Sequence, residues 1–136
     1  MAARPTGFTL IEVLVAVAIA GTLATIAWPS MQGRIVKARR ADAAAALQHV
    51  QIAQERHHAL HGLYANDLGM LGAAPRSPEG LYRIQLQPGT GADTYTAVAV
   101  ALAGSSQAGD GVCTELTLRV DQGFAQLGPN LRCWNR

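Results

Sequence analysis

The sequence predicts an α+β fold in which one long N-terminal helix packs on a C-terminal antiparallel sheet. One observation is an apolar stretch of 21 residues without a formal charge between Glu12 and Arg34. Another is a helical apolar stripe that continues to about Leu60. The third is a set of short alternating segments, separated by glycines, in the last third of the chain. The chain has 136 residues, so we expect one small domain with an appendage. Its formal net charge is only +2, which gives no basic excess that would indicate nucleic-acid binding.

The apolar stretch from Val13 to Met31 is long enough to cross a membrane. At about 1.5 Å per residue it matches a hydrocarbon core of about 30 Å. A cleaved secretory signal and a plain single-span anchor are two interpretations of such a stretch. Glu12 is unusual at its edge, because a carboxylate there must be carried toward hydrocarbon. We therefore expect Glu12 to have a cationic partner.

The second half of the helix follows Pro29 and carries one apolar stripe at spacings of three, four and seven. The stripe comprises Ala43, Ala46, Leu47, Val50, Ala53 and Leu60. Gly62 predicts the end of the helix as its C′ residue. His57 and His61 share a face four residues apart, but with no third ligand in view they are better explained by a helix C-terminus, which favours cations. No metal site is predicted.

Four segments follow the connector at 62–80, in which Tyr64 is expected to fold back onto the helix. The segments are 81–87, 94–102, 114–120 and a weaker one at 124–127. Their period-2 alternation predicts an antiparallel sheet with one face on the helix. Trp134 is expected to cover the core.

Cys113 and Cys133 have no spacing typical of a zinc site. If this part of the chain lies outside the cytoplasm, a disulfide is the expected interpretation, with two unpaired thiols as the alternative. The nearby turn at 104–111 is expected to be mobile, and a calcium site centred on Asp110 is the alternative there.

The sequence contains no catalytic set. Its acids lack a paired spacing, its serines lack histidine and aspartate partners, and there is no glycine loop that could cradle phosphate. We therefore predict that the protein is not an enzyme and uses no cofactor.

Near its N-terminus the chain reads Gly7-Phe8-Thr9-Leu10-Ile11-Glu12-Val13. This sequence resembles the type III signal of type IV pilins and type II secretion pseudopilins. The tail, with Gln107 to Cys113 and a terminal Cys133-Trp134, resembles that of PilE-like minor pilins. The resemblance implies the pilin fold. It also implies cleavage by a prepilin peptidase between Gly7 and Phe8, N-methylation of Phe8, and pairing of Glu12 with the N-terminal amine of a neighbouring subunit.

The resemblance implies a domain organisation and a location. Residues 1–7 would be a leader peptide, 8–33 the helix that spans the membrane and forms the filament core, and 34–136 a periplasmic head. Within the head, we expect an amphipathic helix at 34–61, the connector at 62–80, and the sheet with its disulfide loop at 81–136. The implied partners are other pilin subunits, the prepilin peptidase and the assembly machinery of the inner membrane. The protein would be held in that membrane before it joins an extracellular pilus.

We therefore expect a structural subunit of a type IV pilus, serving adhesion, twitching motility or DNA uptake. Gly21 and Pro29 bracket a stretch that is expected to be a hinge in the filament. A type II secretion pseudopilin is one alternative. A minor or tip pilin that binds DNA or a surface is an alternative of another class. Its contacts would be the arginines of the head: Arg76, Arg83, Arg119, Arg132 and Arg136.

Overall fold

The computed structural model describes residues 7–136, of which residues 28–30 are described by their backbone alone. The predicted leader therefore lies outside the described residues except for Gly7. Helix α1 runs over Leu10–His61. It begins after Thr9, whose side-chain oxygen accepts a hydrogen bond from the Glu12 amide at 3.4 Å. Thr-x-x-Glu is the sequence of a capping box, so this start is encoded locally.

The chain divides into two compact units, one that ends at Ile35 and one that comprises Val36–Arg136. In the first unit, the segment Leu10–Ala27 has a mean hydropathy of 2.3 and none of its residues is buried. Among residues 7–136, it is the one helical segment long and apolar enough to cross a membrane. We call the second unit the head.

The head contains a four-stranded antiparallel sheet in the order β1-β2-β3-β4. Its strands are β1 (Tyr82–Pro88), β2 (Thr94–Ala101), β3 (Glu115–Asp121) and β4 (Phe124–Gly128). Each lies within one residue of its predicted bounds, because the alternation that predicted the strands is the burial pattern of the sheet. The α+β fold of a long N-terminal helix with a C-terminal antiparallel sheet is thereby confirmed.

The core of the head lies between one face of α1 and one face of the sheet. The helix supplies Ala43, Ala46, Leu47 and Val50. Strands β1, β2 and β3 supply Tyr82, Ile84, Tyr95, Ala97, Ala99, Leu116, Leu118 and Val120.

The predicted stripe is wrong at its C-terminal end. Leu60 is 74 % exposed, although its spacing continues the apolar face. The position that is buried near this end is instead Gln54. Its amide donates to the Ala65 carbonyl at 3.0 Å and accepts from the Ala65 amide at 2.7 Å. These two hydrogen bonds make burial of a polar side chain tolerable and hold the returning connector against the helix.

The end of the helix and the return of the chain follow the sequence prediction. Gly62 has a φ of +74°, and its amide donates to the His58 carbonyl at 2.8 Å. Glycine takes this left-handed conformation without strain. Tyr64 is buried, and its hydroxyl donates to Glu55 Oε1 at 3.0 Å.

Two short 3₁₀ turns, Gly111–Cys113 and Leu131–Trp134, close the C-terminal part of the head. A disulfide joins them through Cys113 and Cys133. Trp134 is buried in the core, and its indole N–H donates to the Gly128 carbonyl at 2.9 Å. The expectation that Trp134 covers the core is confirmed.

Candidate functional sites in the N-terminal segment and the head

The residues around the predicted cleavage point precede the helix. Gly7, Phe8 and Thr9 have no regular structure, and the Phe8 side chain is 83 % exposed. Glu12 lies in the first turn of α1, where a carboxylate is favoured by the helix dipole. Among the described residues, Glu12 forms no ion pair, so its side chain is available to a cation from outside this chain.

The polar side chains inside the apolar segment are satisfied within the helix. The Thr22 hydroxyl donates to the Ile19 carbonyl at 2.8 Å, and the Thr25 hydroxyl donates to the Thr22 carbonyl at 2.7 Å. Hydroxyls bonded in this way need no water, so they can enter a hydrocarbon environment or a packed helical core.

Gly21 and the backbone of Pro29 lie within helix α1. The side chain of Pro29 lies outside the described residues. The predicted hinge concerns the assembled filament, so it stays a prediction for that state.

Arg76 and Arg83 lie directly opposite each other. They form an isolated antiparallel bridge at the outer edge of β1. Flanking hydrogen bonds run from the Ser77 amide to the Tyr82 carbonyl and from the Ile84 amide to the Pro75 carbonyl. This pattern brings the two Cβ atoms close, so two positive charges face each other across one ladder position.

Arg119 lies on the solvent-facing side of the sheet, two strands away from Arg83. It pairs with Thr96 on β2 and with Gln126 on β4. We call seven side chains on this side the polar face: Arg83, Gln85, Gln87, Thr96, Thr117, Arg119 and Gln126. Val98 and Val100 of β2 and the acids Glu115 and Asp121 of β3 lie on the same side. In the part of the chain described here, neither Arg83 nor Arg119 forms an ion pair.

An open cleft of about 200 Å³ adjoins the polar face where the β1–β2 hairpin turns. Arg119, Thr90, Thr94 and Thr96 line it together with Gly89. Guanidinium and hydroxyl groups are the side-chain donors that bind phosphate oxygens. The cleft therefore offers the chemistry of a phosphate contact.

Arg132 and Arg136 belong to a different region. The Arg132 carbonyl accepts from Arg40 Nη1 at 3.2 Å, and the Asn135 side-chain amide donates to the Lys37 carbonyl at 3.1 Å. These contacts hold the C-terminal segment against the first turns of the head's helix. The five predicted arginines are thus distributed over the β1 edge, the polar face and the C-terminal segment.

A buried polar network underlies the C-terminal region. Arg40 donates two hydrogen bonds of 2.7 Å to the two oxygens of Asp110. These bonds raise the pKa of Arg40. Gln107 is fully buried and donates to the Val36 carbonyl at 3.1 Å and to the Tyr82 hydroxyl at 3.0 Å. Burial raises the pKa of Tyr82.

This network changes the interpretation of Asp110. Both of its carboxylate oxygens accept from Arg40, and its side chain is almost completely buried. The structure therefore does not support Asp110 as a calcium ligand. Sequence reasoning missed the pair because Arg40 and Asp110 are 70 positions apart. The capping box Thr9-x-x-Glu12, by contrast, can be recognised from the sequence alone, but sequence reasoning missed it as well.

The histidines at the end of α1 have local partners. His57 and His61 stack with their ring centroids 4.2 Å apart. His58 Nε2 lies 2.8 Å from Asp93 Oδ1, which connects the helix end to the β1–β2 hairpin. Among the residues that the structure describes, no group of three histidine, cysteine, aspartate or glutamate side chains could hold a metal ion.

The fold and the N-terminal segment together define a class of protein, the pilins: an apolar helix at the N-terminus continues into a head of helix and antiparallel sheet. Comparison with known families agrees, because residues 3–28 match the prokaryotic N-terminal methylation motif.

The part of the chain that follows this motif identifies the family. Residues 29–117 match the family described as "Type IV minor pilin ComP, DNA uptake sequence receptor". This match covers more than half of the chain, and the chain belongs to that family of type IV minor pilins. A search of curated proteins gave no significant match.

Proposed function

We propose that this protein is a minor subunit of a type IV pilus whose head captures DNA during uptake. Residues 1–7 are removed by prepilin peptidase, and the new N-terminus at Phe8 is methylated. The helix at 8–33 holds the subunit in the inner membrane and then enters the filament core, with the head at 34–136 outside. The family match at 29–117 supports a pilus rather than a type II secretion system.

Glu12 supports assembly in this proposal. Its carboxylate sits in the first turn of α1, and the apolar surface of the following segment is largely exposed, with none of its residues buried. That surface needs another environment, first lipid and then neighbouring helices. A carboxylate and a cleaved N-terminal ammonium that both enter an apolar core lower each other's desolvation cost by pairing. The pair also fixes the register between subunits.

Glu12→Gln tests this role and separates it from capping. Glutamine can replace glutamate in a capping box, so the substitution removes the charge and keeps the local hydrogen bonding. We expect the mature mass to show normal loss of seven residues and gain of one methyl group, while the subunit is absent from sheared pili. Thr9→Ala is the matched control, because it weakens the cap and keeps the charge. Normal recovery of the Glu12→Gln subunit in pili would contradict the pairing.

The polar face supports DNA capture, and the main observation in its favour is the position of Arg119 at the hairpin cleft. The head has nine lysines and arginines against eight acids from residue 36 onward, a formal net charge of +1. Because this overall charge is small, nucleic-acid binding by the head must depend on local contacts. Arg119 presents an unpaired guanidinium beside three threonines at the hairpin cleft. The glutamines on the same face are side chains that can read base edges.

DNA binding by the oxidised head, residues 36–136, tests this surface. Arg83→Gln with Arg119→Gln should weaken binding and reduce the dependence of log K on log salt concentration by roughly one unit per arginine that contacts a phosphate. Arg39→Gln with Arg56→Gln, both on α1, is the control of matched charge. A mobility-shift titration at several salt concentrations gives both quantities. Equal losses in the double variant and the control would contradict a role for the polar face.

A further inference from the structure

We propose that the head docks on an anionic phospholipid surface before assembly. The docking surface is a set of residues around the disulfide, which we call the disulfide rim: Lys37, Val112, Leu131, Arg132 and Arg136. This inference depends on the membrane anchoring in the proposed function, and it is independent of DNA capture by the polar face.

The cations of the rim are brought together by contacts within the head. The Asn135 side chain binds the Lys37 carbonyl, and Arg40 binds the Arg132 carbonyl. The Arg136 amide donates to the Leu131 carbonyl at 3.0 Å. Lys37, Arg132 and Arg136 are exposed. Within residues 7–136 none of them forms an ion pair, so their charges are available to an anion.

Asp110, which Arg40 links to this region, is already occupied. Asp110 is bound by Arg40 through both oxygens and is buried beneath the rim. Since Arg40 neutralises Asp110, the exposed charge of the rim is positive. A surface of phospholipid headgroups with net negative charge is its electrostatic complement.

Two large apolar side chains project beside these cations. Val112 is 75 % exposed and Leu131 is 56 % exposed. They belong to the two 3₁₀ turns that the Cys113–Cys133 disulfide joins. The Cys133 sulfur also lies 3.9 Å from the Val112 carbonyl oxygen. Apolar side chains next to lysine and arginine are typical of surfaces that lie in the membrane interface, where each group finds its preferred environment.

The chain keeps the rim close to a membrane. Lys37 follows the last residue of the candidate span, Ala27, by ten positions, a path of at most about 35 Å even when extended. Tethering at this length gives the rim a high effective concentration at the headgroups. A weak intrinsic affinity is therefore enough for docking.

The test uses the oxidised head alone, so that the apolar span cannot anchor it. All residues of the hydrophobic core lie between Ala43 and Trp134, so residues 36–136 contain what the head needs to fold. Its partition is measured by co-sedimentation with vesicles of phosphatidylcholine alone or mixed with phosphatidylglycerol. We expect binding to the mixed vesicles, loss of that binding at high salt, and little binding to phosphatidylcholine alone.

Substitutions locate the surface. Lys37→Gln with Arg132→Gln should lower the partition coefficient about thirtyfold, since each cation near an anionic surface contributes about a fivefold effect. Arg76→Gln with Arg83→Gln removes the same charge at the β1 edge and should leave binding nearly unchanged. Val112→Ser with Leu131→Ser should lower binding to the mixed vesicles at low salt although the net charge is unchanged. The circular dichroism spectrum confirms that each variant folds.

Three results would overturn the proposal. One is equal binding to vesicles with and without phosphatidylglycerol. Another is an equal loss of vesicle binding in the rim variant and the β1-edge control, which would mean that the total charge of the head determines binding and the position of the charges does not. The third is a rim variant that binds vesicles normally but loses DNA, which would assign the rim to the nucleic-acid surface. Failure of the DNA test at Arg83 and Arg119 leaves the vesicle measurement unaffected.

Discussion

At the scale of single residues, the head depends on one ion pair that crosses the molecule. Arg40 lies on α1 and Asp110 precedes the disulfide turn, and two bonds of 2.7 Å join them. Neither side chain could be recognised as structural from its neighbours in sequence. Partners 70 positions apart leave no local pattern, and the sequence alternative for Asp110 was a calcium site.

Asp110→Asn should destabilise the head strongly. It leaves the Arg40 guanidinium, which is only 17 % exposed, without its anion, and breaking a buried pair costs about 3 kcal/mol. Urea unfolding of the oxidised head measures the change in the free energy of unfolding. Glu115→Gln, at an exposed position on β3, is the control and should change it by less than about 0.5 kcal/mol. A small effect of Asp110→Asn would show that solvent replaces the carboxylate.

At the scale of elements, the single helix α1 serves two environments with two different sequence patterns. Its segment at Leu10–Ala27 is apolar on every side, whereas beyond Val36 one face alone is buried. An all-round apolar helix needs lipid or other helices, and a one-sided helix needs a sheet. The change in pattern therefore marks the point where the environment of the helix changes.

Leu47→Ala and Leu60→Ala should differ in effect although both residues belong to the predicted stripe. Leu47 is fully buried, and truncation of such a leucine costs about 2–5 kcal/mol through lost burial and the remaining cavity. Leu60 is exposed, so its truncation should cost less than about 0.5 kcal/mol. Thermal unfolding of the head compares the two. Similar losses would mean that the last turn of α1 packs more tightly than the structure shows.

The elements were largely predictable and their exceptions have a physical reason. Alternation of apolar and polar residues is the direct consequence of one buried sheet face, so the strands were found within a residue. The stripe failed at Leu60 because helical spacing tells which face a residue shares and not how far the opposing sheet extends. The position of Arg119 on the polar face followed from alternation, but its proximity to the hairpin threonines required the strand register.

At the scale of the whole molecule, the head contains every tyrosine of the chain, and all three are buried: Tyr64, Tyr82 and Tyr95. Burial is the main cause that raises the pKa of each one, and the Tyr64 pKa reaches about 12. In the unfolded chain the tyrosine pKa is about 10. The folded head therefore resists deprotonation of all three phenols.

This difference predicts alkaline unfolding of the head. Because the folded pKa values are raised, the stability linked to tyrosine is fully present below about pH 10 and is lost as the pH rises toward 12. Absorbance at 295 nm reports phenolate, and circular dichroism reports unfolding. We expect the two transitions to coincide in the native head and the phenolate transition to return to about pH 10 in urea. Ionisation near pH 10 without loss of structure would contradict the prediction.

Under the proposed function, the disulfide implies an order of events in the cell. Both sulfurs are buried, and they join the two turns on which Val112 and Leu131 stand. Cytosolic reductants keep cysteine thiols reduced, whereas the compartment beyond the inner membrane favours their oxidation to disulfides. A subunit that has not yet been exported consequently lacks the finished contact surface. In that proposal, completion of this surface follows export of the head.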